Sequence, residues 1–491
     1  MSAEHARSLR IWQLPSKNED DTGKRQRLIF NSYIFLFAFL PITYIVFWSL
    51  RSASHRYIWL TITGYFFYGW WDPRFCLLML FSTLVSYFAG LGFRNTQDLQ
   101  KRRLLLVLPI SVDLLVLGIF KYLGFGLESL AAALSMLGVE VDFSWGQLTL
   151  PVGISFYTFH TISYIVDCYR KDVQPTRNFF EFAAYVSLFS QLVAGPIVRF
   201  RQLEEDLEGL GKASRVRWLA QGLSLFLTGL VEKTVIADTL ATFTNASLLE
   251  YERLSTIGMW LSMLGYTFQL YFDFSGYSTM AVGLGLLFGL RIPQNFNSPY
   301  QALNPSDFWQ RWHISLSSCM RDYVYIPLGD GRCAPIMVYR NLMLMMLIGG
   351  LWHGANWTFI LWGAWHGFCL CFYRLTSHVW DRQPIPIQKF LLLLMVIIGW
   401  VLFRSPNLAT ATAIYSKMFF PVVGLMPEHA FKFVTFLVIA GLWSMVGKNP
   451  IEMHDRDRGW NYSIYTGAFV FGVALAYVSS WQNSPFLYFQ F

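Results

Sequence analysis

An all-α protein that crosses a membrane many times is the fold class this sequence predicts, and three observations predict it. Of the 491 residues, 54% are hydrophobic and only 14% are charged, against about 25% charged in a soluble chain. Mean hydropathy is positive. Apolar runs near the ~20 residues that a spanning helix needs recur from one end of the chain to the other.

The elements follow in order. Residues 1–27 are polar and mixed in charge, and they lack the basic, apolar, small order of a cleavable signal. They read as an extension ahead of a membrane domain at 28–491. Candidate spans begin at 28–50, 57–71, 74–93, 104–126 and 150–168, then a shorter 180–198. The runs 217–247, 257–290 and 337–373 follow, and the longer ones have room for more than one helix. The last three are 389–403, 431–447 and 463–481. Together they make about eleven or twelve passes, fewer where a helix only dips into the bilayer. No internal repeat or low-complexity tract divides the chain.

Lys and Arg in short loops set the orientation. The stretches 93–103, 169–177 and 199–217 are rich in them and read as cytoplasmic. The last two flank the single short segment 180–198, which is therefore expected to enter and return. Three spans back from 93–103 the N-terminus falls outside, although six basic against four acidic residues in the extension pull the other way.

The formal charge of +8 is spread over several loops, a pattern that fits a lipid surface and not nucleic acid. The six cysteines form no CxxC pair and mostly sit in or beside apolar runs, so they read as buried thiols and imply neither disulfides nor zinc.

Two segments concentrate the chemistry. "GGLWHGANWTFILWGAWHG" (349–367) lies in a run from Asn341 to Tyr373 free of Asp, Glu, Lys and Arg, yet it holds His353 and His366. A charged group within lipid costs about +2.5 to +3.5 kcal/mol, so such groups need partners or a wet cavity. Gly349, Gly350 and Gly354 permit close approach of backbone or substrate, and Asn356 shares a face with His353 if the segment is one helix. His366, thirteen residues on, falls on a different face at 100° per residue, and no carboxylate accompanies the pair. No metal site is expected.

The second segment is "NFNSPYQALNPSDFWQRWHISLSSCMRDYVYIPLGDGR" (295–332), too polar to span. Asp307 and Arg311 are four apart, as are Trp309 and His313, so a short helix here would be amphipathic. An interfacial helix with aromatic anchors accounts for that much. It leaves unexplained the cluster Arg311, His313, Ser315, Arg321 and Asp322 just before the histidine-bearing span.

Those two segments resemble the membrane-bound O-acyltransferase family, in particular its bacterial branch of alginate O-acetylation and teichoic-acid D-alanylation membrane proteins. The resemblance extends through "FNSYIFLFAFLPITY" (30–44), "LPVGISFYTFHTISYIVDCYR" (150–170), "SQLVAGPIVRF" (190–200), "YFDFSGYSTMAVGLGLLFGLRIPQNFNSPY" (271–300) and "PFLYFQF" (485–491). It implies a ring of membrane helices around a thinned centre, with re-entrant segments carrying the histidines along a tunnel. It makes His353 the catalytic residue and His313 the second tunnel histidine. Trp352, Asn356 and Arg311 are then the candidate substrate contacts. His160 stands where relatives often have Gln, and His366 is not the family's catalytic position despite its own "WHG".

The implied reaction moves an acyl group from a thioester to a hydroxyl. A neutral imidazole, with an ordinary pKa of about 6.5, can take the hydroxyl proton, which casts His353 as general base. His313 would orient the acceptor, or stabilise the acyl oxygen alongside Asn356. The expected activity is O-acetylation of an exported polysaccharide such as alginate or cellulose, in a bacterial inner membrane. Acetyl-CoA is the donor substrate, no cofactor is bound, and the partners are a periplasmic acetyltransferase and an export complex. The alternatives are D-alanyl transfer from a carrier protein to teichoic acid, and a transporter using Asp113, Glu232, Lys233, Asp238 and Asp273 as an ion path.

Overall fold

A computed structural model describes residues 28–141, 149–193, 195–212, 218–453 and 472–473. The extension 1–27, nearly all of the span expected at 463–481 and the closing motif at 485–491 lie outside the described residues. Among the described residues the chain is helical, with one isolated bridge between Leu254 and Leu425 and no sheet. They group into two compact units: Leu28–Phe226 with Met280–Pro293, and Leu227–Thr279 with the described residues from Gln294 onward.

In the first unit a π-helical turn, Phe35–Phe39, leads into α1, Leu40–Ser49. Then come α2 (Ala53–Gly69), α3 (Arg74–Asn95) and α4 (Leu99–Leu117), the last started by Asp98, whose side chain accepts from the Gln100 N–H. A π-turn at Gly118–Tyr122 carries α4 on into α5 (Leu123–Met136). The run expected at 104–126 is therefore a continuous 38-residue helix from Leu99 to Met136.

α6 (Ile154–Arg170) starts after Gly153, whose φ of +75° suits a residue without Cβ. The Arg102 guanidinium donates to the carbonyls of Phe93, Thr96, Cys168 and Tyr169, satisfying the last turns of α3 and α6.

The short segment 180–198 holds one short helix followed by irregular backbone. α7 covers only Phe179–Val186, eight residues, or about 12 Å of helix, too little to cross a hydrocarbon core of about 30 Å. The irregular stretch that follows is buried, the condition under which non-helical backbone is tolerated at membrane depth. Tyr185 donates to the Val198 carbonyl at 2.9 Å, and Gln191 to the Tyr185 carbonyl at 2.8 Å. α8 (Phe200–Glu208) is short and acidic, and its Glu205 and Asp206 hold Arg291 at 2.9 and 2.6 Å.

α9 (Leu219–Val231) passes through a π-turn, Glu232–Ala237, into α10 (Asp238–Leu249). α11 (Thr256–Leu287) is a single helix of 32 residues. A Cβ at Gly276 would meet the Gly229 carbonyl and the Lys233 N–H, so its absence brings α11 against the π-turn. The buried charges there are matched: Lys233 Nζ lies 2.5 Å from Asp238 and 2.7 Å from Asp273, and Glu232 accepts from Ser275 at 3.2 Å. In the other unit Asp113 accepts from Ser82 at 2.6 Å and from Thr161 at 2.7 Å. Each of these groups thus has a polar partner: Lys233 pairs with two carboxylates, and Glu232 and Asp113 accept from hydroxyls.

α12 (Pro305–Arg311) and α13 (Ile314–Met320) are short. The run 337–373 is two helices, α14 (Pro335–His353) and α15 (Trp357–Trp380). α16 (Ile385–Arg404), α17 (Leu408–Phe419) and α18 (Ala430–Val446) complete the second unit's main helices. Among the described helices, Arg74–Asn95, Leu99–Met136, Leu219–Leu249, Pro335–His353 and Ile385–Arg404 are long and apolar enough to cross a membrane. The fold is that of an all-α, multi-pass membrane protein.

Candidate active site

His353 is the last residue of α14. The helix ends because the next residues cannot continue it: Gly354 turns extended, and Asn356 caps α15 with its side-chain oxygen on the Thr358 N–H at 3.0 Å. The Asn356 Nδ2 donates to the Pro406 carbonyl at 2.8 Å. Asn356 therefore does not continue the face of His353 as a single helix would require. Its oxygen and one amide hydrogen are committed to the start of α15.

Two glycines let α14 and α15 touch. A Cβ at Gly350 would collide with the Phe359 carbonyl, and one at Gly363 with the Met346 carbonyl. Gly354 is needed in the same way, because a side chain there would strike the Phe359 ring. Gly349, expected to act likewise, makes no such approach: no described atom lies within 4 Å of its missing Cβ.

This hairpin presents His353 in an aromatic setting. Its ring lies 4.9 Å from Trp352, 4.9 Å from Trp362 and 5.2 Å from Phe403, centroid to centroid. The residue is 6% exposed. Walls of this kind exclude water and strengthen any hydrogen bond made within them.

His313 comes to the same place from a different element. The sequence pattern set Trp309 and His313 on one helical face, but α12 stops at Arg311 and His313 adopts a left-handed backbone, φ 44° and ψ 53°. The kink separates the two side chains. Trp309 packs on Trp362 and His366 at 5.7 and 5.1 Å, while His313 turns to Phe274 at 4.7 Å and to His353 at 6.5 Å. A left-handed residue with a Cβ carries about 1–3 kcal/mol of strain, and such residues cluster at functional sites. Here the turn is held by Asn295, whose carbonyl accepts the Ile314 N–H at 2.8 Å and whose side chain accepts the Ser315 N–H at 3.2 Å. His313 is wholly buried, with its Nδ1 3.1 Å from the Asn295 Oδ1.

The structure thus brings His353, His313 and Trp352 together. Arg311 is half-buried, with its Nε on Asp307 at 2.6 Å and an N–H on the Asn297 carbonyl at 3.4 Å. The expected i,i+4 pair forms, and Arg311 braces the approach to the His313 turn. Of the remaining cluster, Ser315 joins Asn295 at 2.8 Å and Arg321 pairs with Asp322 at 2.7 Å. His366 lies in the middle of α15 among Trp309, Trp362 and Trp400. His160 belongs to the other unit, buried against Tyr185 at 5.4 Å. No group of three or more His, Cys, Asp or Glu among the described residues is placed to hold a metal ion.

Sequence reasoning missed Asn295, Trp362 and Phe403. Asn295 lies within the quoted stretch "RIPQNFNSPY", a polar residue between apolar neighbours beside the histidine segment. Phe403 reaches the site from α16, which no local spacing reveals.

A pair of buried imidazoles, on a kinked turn and a helix end of a multi-pass helical protein, makes up the candidate site. Comparison with known proteins supplies the family. The model of the membrane-bound O-acyltransferase family matches residues 62–408, a stretch that contains every site residue above. The chain belongs to that family and is a membrane-bound acyltransferase.

Among its relatives, a probable alginate O-acetylase AlgI of Pseudomonas aeruginosa is 44% identical over 395 residues, covering 80% of this chain and 75% of that one. A peptidoglycan O-acetyltransferase of Helicobacter pylori is 38% identical over 424 residues, 80% of each. A teichoic acid D-alanyltransferase of Bacillus subtilis is 26% identical over 257 residues, 50% of this chain and 65% of that one.

Proposed function

We propose that the protein O-acetylates an exported polysaccharide, drawing acetyl groups from a cytoplasmic thioester, with acetyl-CoA as donor. The observation that carries the proposal is the pair of buried imidazoles, His313 and His353, 6.5 Å apart behind aromatic walls. Two relatives whose names specify O-acetylation of a glycan cover four-fifths of the chain. The D-alanyl relative covers half of it at lower identity, so D-alanyl transfer stands second.

In the proposed reaction the acceptor oxygen attacks the thioester carbonyl carbon as His353 takes the hydroxyl proton. The C–S bond then breaks, and the thiolate leaves with that proton from His353. Trp352, Trp362 and Phe403 keep competing water from the thioester. The second amide hydrogen of Asn356 remains the candidate donor to the acyl oxygen, and Arg311 keeps a supporting part at the His313 turn. The setting proposed is a bacterial inner membrane. There the acetyl group reaches the polymer directly or through a periplasmic acetyltransferase, and an export complex supplies the polymer.

The test supplies membranes containing the protein, in separate arms, with labelled acetyl-CoA and with a D-alanyl-charged carrier protein. Label on polymer or on partner protein from acetyl-CoA alone supports the proposal. Label from the D-alanyl carrier alone replaces it with the second reading.

A further inference from the structure

We infer that Asn295 is a positioning residue for acyl transfer: it holds His313 in the tautomer whose Nε2 carries a lone pair. His313 then accepts a hydrogen bond from the substrate and gives none to the acyl oxygen. The inference rests on His313 lining the reacting site, as proposed above.

One donor at the Asn295 side chain has no choice of role. The Ser315 backbone N–H points at one terminal atom of the Asn295 side chain at 3.2 Å. A backbone N–H can only donate, so that atom is the amide oxygen and not the nitrogen. The other terminal atom, Nδ2, donates to the Ser278 Oγ at 3.1 Å, which is consistent with the same orientation. His313 Nδ1 lies 3.1 Å from this acceptor-only oxygen, so Nδ1 carries the hydrogen. A neutral imidazole has one, which leaves Nε2 bare.

Ser315 offers a competing arrangement. Its hydroxyl is 2.8 Å from the Asn295 oxygen and 3.5 Å from Nδ1. If it donated to a bare Nδ1, two lone pairs would face each other at the Nδ1–Oδ1 contact. It therefore donates to the nearer oxygen, and the tautomer stands. Asn295, Ser278, Ser315 and His313 are all buried, so water does not substitute freely for any of these bonds.

The consequence separates two roles that the sequence left open for His313. Stabilising a developing oxyanion needs a donor aimed at it, and a neutral His313 fixed in this way has none at Nε2. It can instead hold a donor O–H, such as a hydroxyl beside the reacting one on a sugar acceptor. The reacting proton meanwhile passes to His353.

The deciding measurement is the ¹⁵N spectrum of histidine-labelled full-length protein in lipid nanodiscs. The His313 signals are identified by their loss in His313→Ala. The expected spectrum has Nδ1 protonated and Nε2 unprotonated. Asn295→Ala brings in the Nε2-protonated form, and Asn295→Asp, which keeps an acceptor oxygen, restores the first pattern. Protonated Nε2 in the unmodified protein overturns the inference, as does an Asn295→Ala spectrum identical to it.

Transfer assays add the functional half. Asn295→Ala is expected to slow transfer about tenfold and to add nothing in a His313→Ala background. A further loss in that background would make Asn295 a scaffold residue only. If the unmodified protein transfers no acetyl group but shows the expected tautomer, the failure belongs to the proposed substrate and not to Asn295.

Discussion

The tripeptide Trp-His-Gly occurs twice within sixteen residues of one hairpin, at 352–354 and 365–367, and the two copies sit in different structural settings. The first ends a helix. His353 is the last residue of α14, Gly354 turns extended, and the imidazole faces Trp362, Phe403 and, across 6.5 Å, His313. The second lies in the middle of α15. Trp365 donates to the Met395 carbonyl at 2.8 Å, His366 packs edge-on in an indole cluster, and Gly367 admits Met343. Trp362 touches both imidazoles at 4.9 Å, so aromatic contact alone does not separate them. The difference is the backbone: His353 stands at a helix end beside the left-handed turn of His313, and His366 in the middle of a helix.

The sharpest way to break this comparison is His353→Ala. Loss of a general base is expected to slow acyl transfer about 10²–10⁴-fold, read as label transferred at matched expression. His313→Ala follows, with an expected loss of about 10- to 100-fold, the scale of the roughly 1–3 kcal/mol for leaving a substrate hydroxyl without its buried acceptor. Gly363→Val attacks the hairpin itself. A side chain there meets the Met346 carbonyl, and overpacking of this kind costs about 1–3 kcal/mol, seen as a lower thermal midpoint in detergent. Gly349→Ala is its control. No described neighbour occupies that space, so the midpoint is expected to hold within about 0.5 kcal/mol. Smallest of all is His366→Phe, which keeps an aromatic ring against Trp309 and Trp400 and should transfer within about threefold of the unmodified protein. A collapse of transfer in His366→Phe would erase the distinction between the two tripeptides.

The fold class was legible because apolar runs at spanning length need nothing but composition. Charge on the two flanks of 180–198 marked it as a segment that does not simply cross, and its helix α7 is only eight residues long. The site was legible in part. The histidine segments stood out through residue types that lipid disfavours, whereas their geometry depended on where helices stop. Asn356 and His353 seemed to share a face because the run was read as one helix, and the cap at Asn356 splits it. Trp309 and His313 seemed aligned for the same reason, and the left-handed turn at His313 parts them. Asn295 was invisible as a partner because its contact with His313 joins residues eighteen apart through an irregular segment. Local periodicity carries no information about such a contact.

The most direct test of the account compares labelled acetyl transfer from acetyl-CoA by membranes carrying the unmodified protein, His353→Ala and His366→Ala at equal expression. The account predicts that His353→Ala abolishes transfer while His366→Ala keeps it. Transfer by His353→Ala at the unmodified rate would contradict the assignment and return His353 to a packing residue at the end of α14.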